Sequence, residues 1–102
     1  MFWKKYRDYY KLYYVYIMSS KSRVLCIGMT NNIIRRVMEH RNNVNDGFTK
    51  KYHCHILLYY EIFESPMEAI SREKQIKRWR RSKKVKLINS VNPNWHDLFN
   101  EL

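Results

Sequence analysis

The chain has 102 residues, enough for one buried core and too few for a second. Hydrophobic residues make up 45% and aromatics 16%, with only two Gly and two Pro, which excludes a disordered tail and predicts a packed globule. Twenty Lys and Arg against nine Asp and Glu give a formal charge of +11, which opposes self-association, predicts a monomer and favours polyanionic partners, nucleic acid before membrane.

The longest apolar stretches, residues 12–18 and 56–63, are far too short to cross a bilayer. Residues 1–11 mix aromatics with charges and lack the apolar centre of a leader, so they read as a basic, Tyr-rich extension to a domain over 12–97, with 98–102 as a tail. Cys26 and Cys54 sit alone in separate apolar runs without CxxC spacing, so two reduced thiols and a cytoplasmic location are expected.

In chain order, residues 12–18 (LYYVYIM) are rich in β-branched and aromatic types and predict a strand. Residues 19–23 read as a hairpin loop and 24–29 as the returning strand. A loop centred on Lys21 would set Tyr16 opposite Cys26 and Tyr14 opposite Gly28, all on one sheet face. Asn31 or Asn32 then caps a helix to about Arg41, with Ile33, Ile34, Val37 and Met38 as its apolar stripe and Arg36 and His40 as neighbours four apart. Residues 42–52 form a polar connection, and 55–63 a third strand apolar enough to be central. Ser65-Pro66-Met67-Glu68 joins a Ser cap, Pro at the first helical position and Glu three after the cap, so a helix starts there and runs to about Arg80. A second helical stretch over 82–90 ends before Pro93.

Glu73 falls in the apolar stripe of that helix, between Ala69, Ile70 and Ile76, where a carboxylate has to be paired with a cation or bind a metal. Nine of the fifteen residues from Arg72 to Lys86 are Lys or Arg, which suits a phosphate-rich ligand; Lys74, Lys77, Arg78, Arg80, Arg81, Lys83 and Lys84 are the candidate contacts. Trp79 within that run suits core or rim packing before base stacking. The tract His53-Cys54-His55 has zinc-type ligands, but on a strand Cys54 points away from the two His and no second ligand cluster follows, so zinc is set aside.

The ordered set Tyr14-Val15-Tyr16, Cys26-Ile27-Gly28, Arg36 with His40, and Glu73 resembles the GIY-YIG endonuclease superfamily. The likeness is strongest to its small standalone bacterial members, which also have stretches similar to residues 47–52, 59–61 and 69–79. The resemblance spans residues 12–97 and implies an α/β (α+β) domain with a three-stranded antiparallel sheet flanked by helices. It implies divalent-metal-dependent cleavage of DNA rather than RNA, with Mg2+ or Mn2+ on Glu73, Tyr16 acting on the attacking water, Arg36 on the scissile phosphate and His40 assisting. Gly28 would close the second motif, where backbone and helix approach closely. Two positions depart from the pattern: Tyr14 stands where the first motif has Gly, and Cys26 where the second has Tyr. A thiol at position 26 is shorter and a weaker hydrogen-bond donor than the phenol it replaces, so the resemblance implies either weakened cleavage or a nucleic-acid-binding module without it. The pattern's late Asn has two candidates, Asn92 and Asn94, and takes no role here. So small a domain reads few bases, and a protein partner supplying specificity is expected.

Overall fold

The structure, a computed structural model, describes residues 11–42 and 53–102. Most of the basic extension and of the polar connection after the first helix therefore lie outside the described residues, including the 47–52 stretch of the resemblance. Strand β1 (Tyr13–Ser19) is followed by β2 (Leu25–Thr30), helix α1 (Ile33–Arg41), strand β3 (Ile56–Phe63), helix α2 (Pro66–Arg78), helix α3 (Arg81–Val91) and a short 3-10 turn (Leu98–Glu101). The strands form one antiparallel sheet in the order β2-β1-β3. The central strand is thus β1, and the third strand, for which a central place was expected, lies at an edge. The reason is visible along β1, where Val15, Ile17 and Met18 are fully buried from both sides, whereas β3 opens to solvent beyond Tyr59.

The hairpin register differs from the expectation by two residues: Tyr16 pairs with Gly28, Tyr14 with Thr30, and Met18 with Cys26. The loop is centred on Ser22 rather than Lys21. Ser20 N–H donates to the Val24 carbonyl (3.0 Å), Ser20 Oγ accepts from Val24 N–H (3.0 Å), and Arg23 takes a left-handed φ of 68°. A slip of two preserves alternation, so Tyr14, Tyr16, Met18 and Cys26 still share one face. Where β1 meets β3 the register shifts between Ile17 and Met18, which leaves Leu58 as an extra residue and lets Leu58 and Tyr59 pack on the same side.

One sheet face packs on α1. Tyr14, Tyr16, Met18, Cys26 and Leu57 meet Ile33 and Val37 there, and Leu98 and Phe99 of the 3-10 turn close its margin. Residues 98–101 form this turn, with Leu98 and Phe99 packed on the core margin. Asp97 holds it, accepting from Leu57 N–H (3.2 Å) and pairing with Arg41. The other face packs on α2 and α3 through Val15, Ile17, Leu58, Tyr59, Ala69, Ile76 and Ile88. Helix α2 starts as the sequence requires, with Ser65 Oγ accepting from Glu68 N–H and Pro66 in the first turn. It stops at Arg78, two residues before the expected end, and Arg80 takes the extended backbone that starts α3.

The stripe of α1 is only half as expected. Ile33 and Val37 are buried, but Ile34 and Met38 are exposed, and His40 takes the third inward position at i+7. An imidazole can be buried there because both ring nitrogens find partners. Cys26 and Cys54 are joined in a disulfide, with Cα atoms 6.5 Å apart, so the expected pair of reduced thiols is overturned. Twenty-eight residues of separation hide a contact that the sheet creates. The redox argument for an intracellular location falls with the thiols. Among the described residues, no helix is long and apolar enough to cross a membrane.

Candidate active site

Tyr16 occupies the middle of β1 and is 4% exposed. Its ring lies across β2 at Gly28: a Cβ placed on that glycine would fall 2.3 Å from the Tyr16 hydroxyl and 2.5 Å from Cζ. Only glycine lets the ring cross the edge strand, which gives the second motif's glycine a physical reason. The clearance opposite Gly28 serves Tyr16, not Tyr14, because of the two-residue register difference.

The Tyr16 hydroxyl lies 3.2 Å from Nε2 of His40, and Nδ1 of His40 lies 3.2 Å from the Cys54 carbonyl. A carbonyl can only accept, so Nδ1 carries the proton; neutral Nε2 then offers a lone pair, and Tyr16 donates to it. Burial, the largest cause, holds His40 below its ordinary pKa of 6.5, with Arg36 pushing the same way and the Cys54 contact and Glu39 opposing. The imidazole is therefore neutral at pH 7. Burial also pushes Tyr16 up to about 12, against Arg36 and with Glu73 and Glu39. The hydroxyl stays protonated, and its oxygen keeps lone pairs for another donor.

Arg36, Glu39 and Glu73 thus all act on one hydroxyl, although Glu73 comes from α2 on the far side of the sheet. Arg36 Nε is buried without a hydrogen-bond partner among the described residues. Glu39 Oε1 lies 3.4 Å away, an ion pair whose geometry does not make a hydrogen bond. Glu73 sits between Ala69 and Ile76 on the inward side of α2 with its side chain 22% exposed, and Lys77 Nζ lies 3.5 Å from Oε1. Tyr16 and His40 are in hydrogen-bond contact, and Arg36 and Glu73 bear on the Tyr16 hydroxyl through their charges. Cys26 is not brought in as a thiol: it faces Met18, two residues along from Tyr16's partner, and its sulfur is bonded to Cys54.

Lys74, Lys77 and Arg78 project from the end of α2, and Arg80, Arg81, Lys83 and Lys84 from the start of α3; all but the half-buried Lys84 are exposed. Trp79, at the junction, is half-buried against the core, with Lys83 Nζ 4.4 Å and the Arg72 guanidinium 5.1 Å from its ring centre. Asn92 is also structural, bonding the Leu58 and His96 carbonyls and the His96 N–H. His53 and His55 precede β3 and do not share a strand face as expected; His53 has φ 52°. No group of three or more His, Cys, Asp or Glu able to hold a metal occurs among the described residues. The sequence reading missed Glu39, which its spacing of three from Arg36 could have flagged, and the Cys54 carbonyl, which no side-chain pattern announces.

Residues 12–86 match the family described as the GIY-YIG catalytic domain. A UPF0213 protein of Clostridium perfringens is 40% identical over 77 residues, covering 76% of this chain and 83% of its own. One from Staphylococcus saprophyticus is 36% identical over 77 residues, covering 76% and 94%. The solution NMR structure of the UPF0213 protein BH0048 from Bacillus halodurans superposes with a TM-score of 0.56 at 26% identity, covering 84% of this chain and 92% of that one. The order of strands and helices, the glycine under Tyr16 and these likenesses agree, and the chain belongs to the GIY-YIG family.

Proposed function

We propose that this protein hydrolyses phosphodiester bonds in DNA with a divalent metal, Mg2+ or Mn2+, held by Glu73. The observation that carries the reading is the Tyr16 hydroxyl donating to a neutral His40 while Arg36 and Glu73 act on the same place. Water attacking a phosphate must lose a proton. Tyr16 accepts it as its own proton passes to His40 Nε2, so a phenol that titrates near 12 never has to stand ionised. Arg36, whose Nε lacks a hydrogen bond, suits a non-bridging phosphate oxygen as charge develops on it.

The donor set fits the metal. A single half-buried carboxylate is what Mg2+ accepts when waters and substrate oxygens supply the remaining ligands. When bound, such a metal polarises the phosphoryl group and lowers the barrier to attack. Lys74, Lys77, Arg78, Arg80, Arg81, Lys83 and Lys84 hold the backbone of the nucleic acid by charge, DNA ahead of RNA, and leave sequence choice to a protein partner. The protein acts as a monomer under the self-repulsion of its +11 charge.

A second reading has its own observation. Lys77 neutralises Glu73, and Cys26 brings no hydroxyl to the second motif, as in a module that grips nucleic acid without cutting it. A panel of labelled duplex, branched and single-stranded DNA and RNA, incubated with Mg2+, Mn2+ or chelator, separates the two. Metal-dependent cleavage is expected, with Glu73→Gln lowering it at least about 100-fold at equal or higher DNA affinity. Cleavage that survives in a folded Glu73→Gln protein removes the metal-ligand role, and salt-sensitive binding with no cleavage on any substrate establishes the module.

A further inference from the structure

We infer that the pocket between the β1–β2 loop and residues 53–55 is a second phosphate site, which holds a phosphate of the bound nucleic-acid strand other than the one being cut. Its part in substrate binding rests on the nucleic-acid reading; its anion chemistry does not. The pocket, about 590 Å³, is lined by Ser20, Lys21, Ser22, His53 and His55. These side chains offer an ammonium, two imidazoles and two hydroxyls, and the described residues that line it include no carboxylate. Hydrogen-bond direction shows what is left for a ligand. Val24 N–H donates to Ser20 Oγ (3.0 Å), and Ser20 Oγ lies 3.0 Å from Ser22 Oγ. The two hydroxyls bring two hydrogens to that one contact, so one O–H is spare. His55 Nδ1 lies 2.9 Å from the His53 carbonyl, which can only accept, so Nδ1 carries a proton and Nε2 is the atom left for a ligand. The two rings are 4.7 Å apart at their centres, and Lys21 is exposed at the same pocket.

A metal cation suits this set less well, because Lys21 brings a positive charge and no lining carboxylate offsets it. A phosphate accepts from the ammonium and the hydroxyl at once, and its charge favours a proton on Nε2, which then donates too. The place of the pocket decides which phosphate it takes. Ser20 lies four residues beyond Tyr16, along β1 and just past its end, or about 13 Å at the rise of a strand. One phosphate group cannot span that distance, so a phosphate at Arg36 and one in this pocket are different. Phosphates of one duplex strand follow each other about every 3.4 Å of helix axis, which sets the two about four positions apart. Pocket and site meet at Cys54, which stands between the two histidines in sequence and reaches His40 through its carbonyl.

The test begins with inorganic phosphate, titrated against chloride at constant ionic strength while nuclear magnetic resonances are followed. The Ser22 amide, the Lys21 side chain and the His55 ring should shift along one saturation curve in wild type, and Lys21→Ala should weaken that curve about 10-fold. DNA affinity is then measured in chelator for strands carrying a 5′-phosphate, a 3′-phosphate or neither. The proteins are wild type, Lys21→Ala, Lys21→Arg and, as a control for charge at the other end of β1, the exposed Lys11→Ala. Lys21→Ala should lose about 10-fold in affinity and about one unit of salt slope, and Lys21→Arg should keep most of both. Single-turnover cleavage at saturation should stay within about twofold in each, since the pocket binds and does not react. A loss confined to phosphorylated ends identifies a strand-end phosphate and a loss on every strand an internal one; either supports the site. No phosphate-dependent shift in the pocket, a loss in Lys21→Ala no larger than in Lys11→Ala, or phosphate shifts with DNA affinity undiminished would overturn the inference. A wild type that binds no strand removes the nucleic-acid reading instead, and the titration still decides whether the pocket takes phosphate.

Discussion

On the face of the sheet covered by α2 and α3, Glu61 receives Arg72 Nε on both carboxylate oxygens (3.0 and 3.1 Å), Arg72 Nη2 on one of them (3.0 Å) and the Tyr59 hydroxyl. The remaining arm of Arg72 donates to Gln75 Oε1 (2.7 Å), and its guanidinium lies by Trp79. On the face covered by α1, by contrast, Arg36 Nε is buried with no hydrogen bond among the described residues, and the Tyr16 hydroxyl donates a hydrogen bond to His40 and accepts none from them. Both faces are served by the same strand, β1, through alternate residues. A closed polar network contributes rigidity and leaves nothing over for a ligand, whereas an open one leaves donors and acceptors for water or a ligand to fill. The basic run by itself does not single out either face; the unfilled valences do.

Between the two faces, the larger effect is expected of Gly28→Ala, which attacks the open face at its narrowest point. The new Cβ would fall 2.3 Å from the Tyr16 hydroxyl, and a ring that is 4% exposed has to shift to clear it. Cleavage should fall about 100-fold from misplacement alone, with a stability loss of about 1–3 kcal/mol. Equal cleavage rates in single-turnover assays of folded Gly28→Ala and wild type would show that the hydroxyl's position is immaterial.

Opening the closed face should do the reverse. Arg72→Met leaves Glu61 with the Tyr59 hydroxyl as its remaining partner, and both Glu61 and Arg72 are now about a quarter or less exposed. The expected loss is roughly 2 kcal/mol of stability, read as a melting point lower by about 8–16 °C. Cleavage per folded molecule should stay within about threefold, a bound well below the 100-fold expected on the other face. A variant that melts normally but no longer cleaves would erase the distinction between the two faces.

How much of this was legible in the sequence depends on the range of the interaction. The Ser65 cap and Pro66 are local, and α2 begins where they place it. Arg36 and His40 are four apart on one helix, and Glu73 sits in a stripe of its own helix, so their elements and faces follow from spacing. The hairpin register was not legible, because the loop is set by a left-handed Arg23, and arginine is no signal for that conformation, while three serines at 19, 20 and 22 mark a turn without fixing its centre. That error placed Cys26 beside Tyr16, where it would have stood in for a phenol. The disulfide and the Cys54 carbonyl were out of reach for a stronger reason: each joins segments that only the finished sheet brings together. On α1, hydropathy favoured Ile34 and Met38 over His40, and a doubly hydrogen-bonded imidazole took the inward place.

The smallest effect, and the finest probe of the open face, is in pH. His40 is depressed below 6.5 by burial first, with Arg36 lowering it and Glu39 and the Cys54 carbonyl raising it; Tyr16 is its uncharged neighbour. Cleavage needs Nε2 free to accept, so the rate should be flat across neutral pH and fall as pH drops through the folded His40 value, below 6.5. Stability has the same sign. Because the folded pKa is depressed, the unfolded chain takes up the proton first, so the contribution is present in full above 6.5 and is lost as pH falls through the folded value. Glu39→Gln removes a charge that favours the imidazolium and leaves Arg36 less neutralised, and both changes lower His40 further. The acid limb of the single-turnover rate should therefore move to lower pH in that variant while the plateau stays level. A limb that moves upward, or one already lost in wild type above pH 6.5, would mean that the imidazole is not the acceptor of the Tyr16 proton.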